Sequence, residues 1–277
     1  MSRWLVRFGY DGAGFAGWAR QPGLRTVEGV LREGIPRTGV DATTEAGGLA
    51  VASRTDRGVS ARGNALTLSS SLPAAGVLRA LNGIAPEVFF TAISEVAPDF
   101  SARAATRRWY RYFEPAEGHR LERWQEAAAK FRGEVDVRSF GRDMPVERPA
   151  LRAIEEVRVR RSGTRWLMVD VRGPSFVWGM VRKLVASLRQ VDNGTLSLAR
   201  LEAALRGDER LTLPLAEPEG LVLWDVSYPV KWTRWWEGPN RVQKRYLTEQ
   251  IRRARLRETV GRELLRLSMV GKGGRAP

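Results

Sequence analysis

The segment Ala52-Ser53-Arg54-Thr55-Asp56-Arg57-Gly58-Val59 sets one carboxylate between two arginines in a short polar stretch that contains a glycine. A guanidinium within about 4–6 Å keeps a carboxylate ionised where water is excluded, because the cation offsets the desolvation cost. An ionised carboxylate can attack a sugar or base carbon, which makes Asp56 the candidate nucleophile. Taken alone, the same residues also fit an Asx or ST turn at a strand end, with Arg54 and Arg57 solvated. Two further segments carry complementary chemistry. Trp109-Tyr110-Arg111-Tyr112 puts aromatic rings on a strand, and Met180-Val181-Arg182-Lys183 puts cations on an otherwise apolar helix.

Composition narrows the chemistry further. The 277 residues include no cysteine and a single histidine, His119, so thiolate and disulfide chemistry are excluded. A zinc site would need carboxylates alone, which argues against a zinc-dependent deaminase, and neither a metal nor an organic cofactor is expected. No run approaches the roughly 18 apolar residues of a membrane span, and the N-terminus lacks the apolar block of a signal peptide; a cytoplasmic protein with no membrane partner is expected. The net charge is +15, and residues 231–277 hold 13 Lys/Arg against 4 Asp/Glu. A polyanionic partner is the usual reason for such an excess. Ten tryptophans beside the arginines favour nucleic acid, since indole and guanidinium planes both stack on bases, although most of the tryptophans belong in the core.

The elements that must position these groups follow from periodicity. Alternation predicts strands over Arg3–Phe8, Asn64–Ser69, Val88–Ile93, Arg108–Phe113 and Leu221–Val226, and a hairpin of Ala153–Arg160 with Arg165–Val171. Helical spacing predicts helices from Thr26, over Ala74–Leu81, over Leu121–Phe131, from Ser175 to about Arg189, and over Leu198–Leu205 between Ser197 and Gly207. On the Ser175–Arg189 helix Phe176, Met180, Leu184 and Leu188 make one stripe, and Arg182 lies about 240° around from Phe176. The interleaving lacks a parallel-sheet rhythm and reads as α+β with two similar halves, 1–105 and 106–229, followed by a basic helical extension, 230–277. No internal sequence repeat marks the halves.

The chain resembles the TruA family of tRNA pseudouridine synthases. The resemblance runs in order through Tyr10-Asp11-Gly12, Gly17-Trp18-Ala19-Arg20-Gln21, Arg54-Thr55-Asp56-Arg57-Gly58-Val59, Leu81-Asn82, Phe100-Ser101-Ala102-Arg103, Tyr110-Arg111-Tyr112, Phe176 with Met180-Val181-Arg182, and Glu219-Gly220-Leu221. It implies two α/β-sandwich halves that share a mixed, mostly antiparallel sheet with helices packed on it and a central RNA-binding cleft. It implies Asp56 as nucleophile, Tyr110 as the ring that stacks on the target base or serves as general base, and Arg182 as the partner of the aspartate. Arg54 corresponds to an arginine associated with nucleotide flipping; Arg20, Phe176 and Met180 are weaker substrate-binding candidates.

The reaction implied is isomerisation of uridine in the anticodon stem-loop of tRNA by a cytoplasmic homodimer without metal or cofactor. Two features depart from the family pattern: Ser60 stands where bacterial members commonly carry histidine, and the basic tail after residue 229 has no counterpart. The rival readings are a non-catalytic RNA-binding protein that uses the same basic groove and a DNA-binding protein, for which no recognition-helix motif is present.

Overall fold

Every second side chain of a strand points to the same face, so the apolar run in Ser2–Tyr10 lets this first strand (β1) be covered on both sides: residues 4–10 are all buried. The computed structural model describes residues 1–40, 49–141, 150–236 and 238–270. After β1 come α1 (Val27–Gly34), β2 (Ser60–Ser70), α2 (Ala74–Leu81) and β3 (Val88–Val96). The second half begins with β4 (Arg107–Pro115) and α3 (Leu121–Ala129) and continues through a small ribbon of β5 (Gly133–Asp136) and β6 (Leu151–Ile154). It is completed by β7 (Glu156–Ser162), β8 (Trp166–Gly173), α4 (Met180–Asp192), α5 (Leu198–Arg206) and β9 (Leu221–Ser227). The chain closes with the two-residue β10 (Arg234–Trp235) and the long α6 (Arg241–Val270).

Eight strands form one sheet in the order β10-β3-β1-β2-β9-β4-β8-β7, antiparallel throughout except for the β2–β9 pair. The expected mixed, mostly antiparallel sheet with helices packed on it is what the chain adopts. In each half the opening strand lies between two others: β1 between β3 and β2, β4 between β9 and β8. Where the halves meet, β9 pairs only with Ser60 and Ala61 at the start of β2. Farther along, residues 50–52 occupy that edge: Ala52 N–H donates to the Ala65 carbonyl at 2.8 Å, and Thr67 N–H donates to the Ala50 carbonyl at 3.2 Å. The chain between residues 52 and 60 therefore emerges inside the seam between the halves. A buried arginine also crosses it, since the Arg7 guanidinium of β1 reaches the Asp225 carboxylate of β9 at 3.0 Å. It passes over Gly63 of β2, where a Cβ would sit 2.4 Å from the guanidinium.

Several local expectations hold. Thr26 Oγ1 caps α1 by accepting from Gly29 N–H at 3.2 Å. Ser197 caps α5, and Gly207, at φ 89°, closes it. Three expectations need correction. Helix α4 starts at Met180, not Ser175, because Gly179 sits in the left-handed region at φ 77° and interrupts the helical path; Phe176 is therefore off the helix, and its angular relation to Arg182 does not apply. Residues 153–154 belong to the β5–β6 ribbon, so the hairpin to β8 begins at Glu156. The extension after residue 229 is not helical throughout, because β10 pairs with β3 through Arg234↔Ile93 and Trp235↔Ala92.

The tryptophans divide between core and face. Trp18 and Trp124 are fully buried, and Phe8 packs against Trp18 and Phe90 with centroids 5.7 Å apart in both pairs. On the sheet face opposite Tyr110, guanidinium and indole groups alternate across β2, β9, β4 and β8. Arg62 lies 4.7 Å and Arg111 3.9 Å from the Trp224 ring centroid, and Arg172 lies 4.1 Å from that of Trp109. These indoles thus stack on arginines of the same sheet, each contact contributing about 0.5–2 kcal/mol.

Candidate active site

Asp56 lies in the seam loop, with its backbone held from both halves. From the first half, Thr55 Oγ1 shares a hydrogen bond with the Tyr10 hydroxyl at 2.7 Å, and its carbonyl accepts from Trp18 N–H at 3.0 Å. Val59 N–H donates to the Asp56 carbonyl at 3.1 Å, which closes a turn, and Gly58 takes φ 80° within it. Gly17, at φ 109°, permits the close approach: a Cβ there would lie 3.1 Å from the Thr55 carbonyl oxygen and 3.2 Å from Arg57 N. From the second half, the Arg108 guanidinium donates to the carbonyls of Ala52 at 3.0 Å and Pro174 at 2.6 Å.

The carboxylate itself is gripped from the α4 segment. Arg182 Nη1 donates to Asp56 Oδ2 at 3.0 Å, while its Nε donates to the Ala216 carbonyl at 2.6 Å. Trp178 Nε1 donates to the other oxygen, Oδ1, at 2.6 Å. The Asp56 side chain keeps 22% and that of Arg182 12% of its surface exposed, so the pair is shielded without being sealed. Both oxygens accept charge-assisted hydrogen bonds and the carboxylate remains reachable, the state a nucleophile needs.

Tyr110, in β4, points to this side of the sheet. Its hydroxyl bonds Ser53 Oγ at 2.6 Å, three residues before Asp56, and its ring meets Phe176 edge-on with centroids 5.4 Å apart. Burial, reinforced by the nearby Asp56 charge, raises the Tyr110 phenol above its ordinary value against the opposing influence of Ser53 and Arg108. The phenol therefore carries its proton at neutral pH, which favours a wall or a hydrogen-bond donor over a preformed base.

Of the sequence-derived candidates, Asp56, Tyr110, Arg182 and Phe176 come together here. Met180 is buried at the start of α4, as core. Arg54 and Arg20 are exposed on loops flanking the site, and Arg20 contributes only its backbone N–H, to Glu28 Oε2 at 3.1 Å. The cation that neutralises Asp56 is the distant Arg182, and neither Arg54 nor Arg57 pairs with it. Lys183 is tied to the Gly141 carbonyl at 2.7 Å. Ser60, at the histidine position of the resemblance, accepts from Gly12 N–H through Oγ at 3.0 Å. Sequence reasoning missed Trp178 and Arg108. The one available signal for Trp178 was its place four residues before Arg182 in the same segment.

Known proteins resemble this chain over most of its length. The family profile described as tRNA pseudouridine synthase matches residues 127–229. A tRNA pseudouridine synthase A of Thermococcus kodakarensis is 39% identical over 227 residues, covering 81% of this chain and 84% of the relative. That of Pyrococcus furiosus is 35% identical over 230 residues, covering 82% and 84%. Among solved structures, a chain of a Cbf5-Nop10-Gar1 complex is a remote likeness, with 13% identity, a TM-score of 0.35 and coverage of 66% of this chain and 45% of that one. On the strength of the archaeal relatives, the chain belongs to the tRNA pseudouridine synthase family, isomerases that convert uridine in tRNA.

Proposed function

We propose that Asp56 is the nucleophile of uridine isomerisation in the anticodon stem-loop of tRNA, acting on a nucleotide flipped out of its stack into the seam between the two halves. In the net reaction the N1–C1′ bond breaks, the uracil turns, C5 bonds to C1′, C5 loses its proton and N1 gains one. Supporting this reading is a single observation: the seam loop presents one carboxylate whose two oxygens are held by Arg182 and Trp178, beside Tyr110. Arg182 and Trp178 hold the Asp56 carboxylate in place. Tyr110 and Phe176 form the wall against which the detached base rests, and the apolar surroundings limit water. Arg54 and Arg20 contact the phosphates that flank the extruded nucleotide.

Extrusion costs a few kcal/mol and is least costly in loops, which fits the anticodon stem-loop. Residues 1–105 and 106–229 act as the two jaws, with 230–277 as an extension, and a cytoplasmic homodimer is the acting species. The test is Asp56→Asn. The variant is expected to fold and to bind tRNA but to form no pseudouridine, as read by carbodiimide mapping and by tritium release from C5-labelled uridine. Tritium release near the parent rate would end the nucleophile assignment.

A further inference from the structure

The outer face of α6 repeats with a spacing the fold does not use. From residue 241 the positions at alternating steps of 4 and 3 are occupied by Arg241, Arg245, Arg252, Arg255 and Arg262, with Thr248 and Thr259 at the two remaining places. Steps of 4 and 3 return to one side of an α-helix, so these residues form a single stripe about 32 Å long at 1.5 Å per residue. All seven are exposed. Two of the stripe's arginines carry ion pairs: Arg252 with Glu249, which also pairs with Arg253, and Arg262 with Glu258, which also pairs with Arg165. Arg241, Arg245 and Arg255 make no ion pair among the described residues.

The helix is anchored so that this stripe faces away from the body and spans both halves. At its start Gln243 is buried, and its Nε2 donates to Asn82 Oδ1 at 3.0 Å and the Val88 carbonyl at 2.9 Å. One turn on, the Tyr246 hydroxyl donates to Asp11 Oδ2 at 2.8 Å. Asp11 precedes Gly12, whose N–H donates to Ser60 Oγ at the foot of the seam loop. Twelve residues later, about 18 Å along the helix, Glu258 accepts from Arg165 at the β7–β8 hairpin in the second half. The helix thus crosses the sheet end at which the Asp56 loop opens. Residues 271–277, which add further basic residues, lie outside the described part.

We infer that this stripe is a phosphate-binding rail: α6 docks the sugar-phosphate backbone of the tRNA substrate outside the catalytic seam, by charge and without reading bases. Charge complementarity selects RNA as the occupant. A second copy of the same stripe would set arginines against arginines, whereas a phosphate backbone matches a row of guanidinium groups, here with exposed Ile251 and Leu256 at its margins. The inference rests on the reading of the protein as a tRNA-modifying enzyme and adds where that RNA is gripped beyond the reacting nucleotide.

The test is the triple variant Arg241→Gln/Arg245→Gln/Arg255→Gln in the full chain. Its control, Arg79→Gln/Arg132→Gln/Arg158→Gln, removes the same charge from exposed sites on other parts of the chain. Affinity for unmodified tRNA is measured by anisotropy from about 50 to 200 mM KCl, with helicity checked by circular dichroism. Three lost phosphate contacts should flatten the slope of log K against log salt by about 2 to 3 in the α6 variant, at roughly 0.7–0.9 per contact, and leave the control slope at the parent value. A parent-like slope in the α6 variant overturns the inference. So does equal flattening in both variants, which reports net charge alone. Loss of self-association with an unchanged slope would assign the stripe to a second copy, and loss of binding to phosphatidylserine vesicles with an unchanged slope to a membrane; either also overturns it. Pseudouridine formation by the parent is scored separately, so failure of the isomerase reading and failure of the rail give different results.

Discussion

Asp56 takes both of its side-chain hydrogen bonds from one short segment, Trp178 and Arg182, although 122 and 126 residues separate them in sequence. Trp178→Phe keeps the ring and deletes one donor to a charged acceptor, an interaction of about 1.5–3 kcal/mol. If the bond matters in the transition state, kcat should fall roughly 10- to 100-fold with little change in tRNA affinity. A single-turnover rate equal to the parent's would make Trp178 a bystander. Arg182→Lys retains a cation but cannot serve Asp56 and the Ala216 carbonyl together, so turnover should drop while the fold persists; full activity would show that charge alone suffices. Asp56, Tyr110 and Arg182 were legible in the sequence because they sit in motifs whose order is distinctive. Trp178 and Arg108 were not, since their contacts depend on which loops the sheet brings together. The flanking arginines misled for the same reason: proximity in sequence to Asp56 did not make Arg54 or Arg57 its partner.

At the scale of elements, the position of the seam loop depends on two backbone conformations that the residue pattern alone does not specify. Gly17 approaches the loop closely at a positive φ, so Gly17→Ala would press a Cβ against the Thr55 carbonyl and strain the backbone. A cost of about 1–3 kcal/mol is expected, together with a loss of activity larger than that of a surface substitution of equal thermal effect. A melting temperature and a turnover rate both at parent values would contradict this. Gly179 plays the second part by delaying α4, which frees Trp178 to turn toward Asp56. Caps such as Thr26 and Ser197 could be read from the sequence because their hydrogen bonds are local. The start of α4 could not, because an apolar stripe continues through a residue whose φ changes sign. The two-residue β10 was equally hidden, since its strand character comes only from pairing with β3.

For the molecule as a whole, all five tyrosines have phenols raised above their ordinary value, with burial the leading cause in each. The folded chain therefore holds these protons where the unfolded chain releases them near pH 10. Fewer bound protons in the unfolded state means that stability is full below about pH 10 and declines above it, by about 1.4 kcal/mol per pH unit for each phenol still protonated in the fold. Denaturant midpoints should fall steeply between about pH 10 and 11; a constant midpoint over that interval would refute the sign. The narrow pairing of β9 with Ser60 and Ala61 has a consequence for biogenesis. A ribosome completes the Asp56 loop more than 160 residues before it delivers Leu221–Ser227. Until then the nascent chain carries an unclosed strand margin at the start of β2. A product truncated ahead of that strand would be both inert and prone to stick to its neighbours.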